Sequence, residues 1–126
     1  MFELIVSAKH NTMLVFLEGG FDAAQAEEFY RAVEKKLPSL KKGFWALTDL
    51  SQLDTIDVEA HQAIEKAMDL CNRRGIAKII RIIPDPEKDI GYGIMSLFHY
   101  SPNVEIHNYH SFKEAMIHLF RPDHAE

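Results

Sequence analysis

The run Ile76 to Ile83 constrains this chain more than any other segment. It is apolar on both alternating faces, the pattern of a strand covered on two sides at the centre of a sheet. It is too short to cross a bilayer and is broken by Lys78 and Arg81. A helix signature leads into it. Ala60, Ile64, Ala67, Met68 and Cys71 recur at helical spacing from about Asp57 to Arg74, Arg73 and Arg74 fall in the last turn, and Gly75 fits the left-handed position past a helix end. A helix feeding a doubly covered strand is the mark of a βα unit with parallel pairing.

The rest of the chain repeats that grammar. Phe2 to Ala8 alternates as a half-buried strand, and the polar turn Lys9-His10-Asn11 leads to a second strand, Thr12 to Glu18, apolar on both faces. The short connection predicts an antiparallel hairpin. Gly19-Gly20 is read as the end of that strand. Asp22 then serves as N-cap with Gln25 completing a capping box, and Ala26, Phe29, Tyr30, Val33 and Leu37 form a helix face that Pro38 stops. Lys35, Lys36, Lys41 and Lys42 gather near its end, where cations complement the helix dipole and would also suit an acidic partner.

Phe44 to Leu50 is a third strand containing Trp45, read as core or interface. Ser51 to Ile56 is expected to be a loop leading to an N-cap at Asp57. After the central strand, Pro84-Asp85-Pro86 opens a helix weakened by Gly91 and Gly93, with Ile90, Ile94, Leu97 and Phe98 on its face. Val104 to Asn108 is an edge strand, and Ser111 to Glu114 is a capping box for a last helix to about Phe120. The predicted order is ββαβαβαβα. The fold class is therefore α/β, a mixed, mainly parallel sheet with an N-terminal antiparallel hairpin and helices packed on it. Residues 1–120 are expected to form one domain and 121–126 a tail, as suits 126 residues.

Composition narrows the function. Lys and Arg number 14 against 19 Asp and Glu, a net charge of −5, which argues against non-specific nucleic-acid binding. The lone Cys71 cannot form an internal disulfide, so a cytoplasmic location is expected. The densest polar chemistry follows the third strand. Asp49, Ser51, Asp54, Thr55, Asp57 and Glu59 stand within one short stretch, and the carboxyl ends of parallel strands beside helix N-termini are where such sheets bind.

Here the sequence resembles the STAS family, the fold of bacterial anti-sigma factor antagonists, over nearly its whole length. Asp49-Leu50 matches the pair ending the family's strand, Leu53 and Ile56 its apolar positions, and Asp57 its motif Asp. Gly75 before the central strand, and Ser111, Glu114 and Ala115 at the last helix start, match as well. The resemblance implies a non-catalytic regulatory or protein-interaction module whose partner is a regulatory protein, kinase-like or from a sigma pathway. It implies a docking surface at Asp54, Thr55, Asp57, Val58, Glu59, His61 and Gln62. The chain departs from the family where a hydroxyl residue two positions after the Asp is phosphorylated: Glu59 stands there, Val58 replaces the preceding hydroxyl residue, and Ala60 stands where glycine is usual. A carboxylate is not a serine-kinase substrate, and one Glu carries only part of a phosphoserine's charge. Ser51 and Thr55 are alternative phosphorylation positions.

Two other readings stand beside this one. Some STAS-like proteins resemble the CRAL-TRIO lipid-binding fold, and the glycine-rich third helix region offers Tyr92, Met95 and Phe98 as the lining of a pocket for a lipid or small apolar ligand. The other is a magnesium-dependent enzyme using Asp49, Asp54 and Asp57, with no phosphate-cradling glycine loop beside them. Seven histidines are present, with His107 and His110 near each other, but no Cys-x-x-Cys or His-Glu-x-x-His accompanies them and Cys71 reads as core. No cofactor is expected. A homodimer through an exposed strand or helix fits the pattern.

Overall fold

The computed structural model describes residues 1–83 and 104–120. Its sheet has five strands in the order β1 (Phe2–Ser7), β2 (Thr12–Phe21), β3 (Trp45–Ile56), β4 (Lys78–Ile82) and β5 (Glu105–Tyr109). β1 and β2 form the antiparallel hairpin, and every other neighbour is parallel. The mixed sheet expected from the alternation of elements is the observed one. The helix expected after Pro86, and with it Tyr92, Met95 and Phe98, lies outside the described residues.

Helices α1 (Ala23–Lys36) and α2 (His61–Arg73) cover one face of the sheet. Their inward stripes, Ala26, Phe29 and Val33 from α1 and Ala63, Ile64, Ala67, Met68 and Cys71 from α2, join Leu4, Met13, Val15, Ala46 and Ile79 in one core. Each large side chain fully buried there contributes about 1.5–3 kcal/mol. Phe2, Phe21 and Phe29 meet edge-on, with centroids 5.6–6.4 Å apart. A cavity of about 20 Å³ between sheet and helices is lined by Met13, Phe29, Met68 and Cys71, among others. That is room for about one water and far too little for a lipid. Burial pushes the Cys71 thiol up to about 12, because desolvation disfavours the thiolate.

The opposite face packs Leu47, Ile80 and Ile82 against Ala115 of α3 (Phe112–Phe120). The charges inside the central run are accommodated locally. Lys78 lies 4.1 Å from the Trp45 ring centre and 4.0 Å from Glu105, and the buried Arg81 donates from Nε to Asn108 Oδ1 at 2.9 Å. Trp45 is therefore half-buried beneath a lysine rather than in the main core.

Several local expectations are met. The Asp22 side chain accepts from the Gln25 N–H at 2.8 Å, the Ser111 hydroxyl accepts from the Glu114 N–H at 3.2 Å, and Gly75 has φ +91°. One is corrected: the Gln25 side chain does not close a capping box but accepts from the N-terminal ammonium at 2.7 Å, which offers a stronger, charged donor. The first helix ends in a 3-10 turn at Leu37–Ser39, with Pro38 at its start.

Candidate functional site

Two strands prove longer than their sequence pattern. β2 does not stop at Gly19-Gly20 but continues to Phe21, and Ser51 to Ile56 is not a loop but the second half of β3. The reason is a pair of register shifts. Phe16 pairs with Asp49 and Glu18 with Gln52, then Gly19 pairs with Leu53 and Gly20 with Thr55. In each case β3 carries one residue more than β2, as in a β-bulge. Each extra residue flips the in/out parity of the strand, so Leu50, Leu53 and Ile56 all turn toward the helices at a spacing of three.

The bulges are held by the residues the sequence supplies. At the first, Asp49 Oδ1 accepts from the Ser51 N–H at 3.0 Å and the Ser51 hydroxyl at 2.7 Å. This absorbs a donor that the irregular ladder displaces. At the second, Gly19 takes φ +67°, and a Cβ on Gly20 would stand 3.2 Å from Thr55 Oγ1. The glycines thus serve the bulge and the close approach of β3, rather than ending β2.

The chain leaves β3 at Asp57, whose N–H donates to the Phe21 carbonyl at 3.0 Å. Asp57 is in the N-cap position, yet its side chain makes no capping bond. It opens a 3-10 turn, Val58–Ala60, and α2 begins only at His61. Ala60 is wholly buried and anchors that turn. With Ala60 pointing in, Val58 and Glu59 are thrown outward. Val58 is 75% exposed, the highest exposure of any large apolar residue among the described residues. Asp54, Thr55, Asp57, Glu59 and Gln62 are exposed, and His61 is half-buried.

The surroundings of this tip are acidic. Glu18 near the end of β2 and Asp22 just past it are exposed beside the tip, and no Lys or Arg occurs in residues 10–30 or 43–65. The nearest described cations are committed, the N-terminal ammonium to the Glu18 carbonyl and the Gln25 side chain, and Lys66 to the Tyr30 ring. Gly20 to Asp22 also border the tip, through the pairing of Gly20 with Thr55 and Phe21 with Ile56, and the Gly19-Gly20 pair is the only mark of it in the sequence. The surface is an apolar point in a negative field, with the backbone beneath it fixed by strand pairing. Such a surface can dock a basic, apolar-lined partner.

The other candidates do not converge. Asp49 is tied to Ser51 partway along β3, away from Asp57 at its end. Among the described residues no three His, Cys, Asp or Glu side chains are grouped to hold a metal ion. His107 meets Glu105 at 3.0 Å, and His110 is exposed.

No family model matches the sequence, and no curated protein matches it significantly. Solved structures do match. The anti-sigma factor antagonist SpoIIAA in its unphosphorylated form superposes with a TM-score of 0.63 at 17% identity, covering 97% of this chain and 99% of that one. An uncharacterized protein with a SpoIIAA-like fold from Shewanella loihica gives 0.68 at 15% identity, covering 94% and 93%. Bacillus SpoIIAA in the phosphorylated form gives 0.59 at 15% identity, covering 94% and 99%. The chain is a STAS-like domain in fold. More narrowly, the fold is that of SpoIIAA, a five-stranded mixed sheet opened by a hairpin. No helix among the described residues is long and apolar enough to cross a membrane.

Proposed function

We propose that this chain is a non-catalytic regulatory module of STAS type, a single cytoplasmic domain over residues 1–120 that works by docking a protein partner at the tip formed by Asp54, Thr55, Asp57, Val58, Glu59, His61 and Gln62. The observation that supports it is the 75% exposure of Val58 between exposed Asp57 and Glu59, on a turn anchored by buried Ala60. An apolar side chain held out by a rigid turn contributes nothing to the core, but it can enter a pocket on a partner. The likeness to an anti-sigma factor antagonist supports the same class of activity. Glu59 holds a standing negative charge in the turn, so docking at this position does not wait on a kinase.

Affinity capture from the source cell tests this with wild type, Val58→Asp and Glu59→Lys. A protein retained by wild type and lost with both variants supports the reading. A partner captured equally by all three excludes the tip as the docking surface.

A further inference from the structure

The end of the molecule opposite the acidic tip is basic, and its cations come from separate segments that the fold ties together. Lys9 lies in the hairpin turn, Lys35 at the end of α1, Lys41 and Lys42 in the connection to β3, and Arg73 and Arg74 at the end of α2, all exposed. The Asn11 side chain joins the hairpin turn to that connection, donating to the Lys41 carbonyl at 3.2 Å and accepting from the Lys41 N–H at 2.8 Å. The Gly43 N–H donates to the Gly75 carbonyl at 2.7 Å, joining the connection to the end of α2. Gly75 lies so close to Lys42 that a Cβ there would stand 2.6 Å from the lysine Cγ. Lys36 is excluded from the set because its Nζ is committed to the Leu4 carbonyl at 2.7 Å. Glu34 is the one acidic residue within residues 7–13, 31–44 and 70–78, and the exposed Glu105 at the adjoining start of β5 is engaged by Lys78 at 4.0 Å and His107 at 3.0 Å.

We infer that this basic pole is a docking surface for an anionic phospholipid membrane, which the domain binds peripherally with its acidic tip facing away. Three features favour a lipid surface over other polyanions. None of the exposed large apolar side chains of the described residues lies in these segments, so these segments themselves present no apolar centre of the kind a protein interface has. Among the described residues the neighbouring Phe44 is committed to the core and Trp45 to Lys78, so neither ring offers a stacking platform for nucleic-acid bases. The cations sit on a turn, a connection and two helix ends at one end of the sheet, an arrangement suited to a charged plane. The net charge of −5 is no obstacle, because Glu18, Asp22, Asp54, Asp57 and Glu59 stand at the far end and the field between the sheet's two ends orients the molecule. This inference is independent of the partner proposed for the tip.

The test is co-sedimentation of the full chain with phosphatidylcholine vesicles, plain or doped with phosphatidylglycerol, at low ionic strength. Wild type sediments with the doped vesicles only and is released at about 0.5 M salt, where the Debye length falls to a few ångströms. One cation near an anionic surface is worth about fivefold in partition, so Lys41→Gln/Lys42→Gln and Arg73→Gln/Arg74→Gln each lower binding about twenty-fivefold. Asp54→Asn/Asp57→Asn at the other end leaves it unweakened. Circular dichroism melts confirm that each variant is folded. Equal sedimentation with plain and doped vesicles, wild-type binding by both basic-pole variants, or retention by an RNA homopolymer without vesicle binding overturns the inference.

Discussion

Leu53→Ala separates the bulged strand from the loop that the sequence pattern suggested. Leu53 is wholly buried in the main core although it lies in a polar stretch. The truncation removes three carbon atoms, about 2.4 kcal/mol of transfer free energy at about 0.8 kcal/mol each. A partly relaxed cavity adds about 1 kcal/mol, within the range seen for buried leucines. The expected loss is therefore about 3 kcal/mol. With an unfolding entropy of about 2.1 cal/mol/K per residue over 126 residues, the melting temperature falls by about 12 °C. Urea denaturation should show a lower midpoint at unchanged slope. Gln52→Ala, at the exposed neighbouring position, should stay within about 0.5 kcal/mol of wild type. A Leu53→Ala loss as small as that of Gln52→Ala would refute the extended β3 and the fixed platform it gives the tip.

Further expectations concern the turns, the caps and the thiol. Gly75→Ala combines φ +91° with a clash against Lys42 and should cost about 2 kcal/mol, whereas Gly43→Ala, with the same φ and open space, should cost about 1 kcal/mol; chemical denaturation ranks them. Asp22→Ala loses a side-chain cap and about 1 kcal/mol, while Asp57→Ala, which loses none, should stay within about 0.5 kcal/mol. Cys71 is neutral in the folded state up to about 12 but ionises on unfolding above its ordinary 9.0. Its contribution to stability is thus complete below pH 9 and is lost as pH rises from there toward 12. Between pH 8 and pH 10 wild type should lose about 1.4 kcal/mol more than Cys71→Ala, and equal losses would contradict the buried thiol.

How far the sequence could be read depended on whether burial kept a simple period. β4 and α2 kept theirs, so Ile79, Ile80, Ile64 and Cys71 stand where periodicity placed them. β3 did not, because two inserted residues changed its period from two to three at Leu50, Leu53 and Ile56. A period of three over so short a stretch is mute between loop and helix start, and a Gly-Gly pair ordinarily marks a turn. The composition of the tip was legible, since Asp57, Val58 and Glu59 are plain in the chain. Its geometry was not, because the outward throw of Val58 depends on Ala60 being buried and on the Asp57 N–H reaching Phe21 across the sheet.

The central claim is that Val58 serves recognition and not folding, and Val58→Asp measured two ways tests it most directly. Urea unfolding should give a midpoint indistinguishable from wild type, while the affinity for the captured partner, read by titration calorimetry, should fall at least about tenfold, the equivalent of about 1.4 kcal/mol. Unchanged affinity, or a destabilised fold that accounts for the loss, would contradict it.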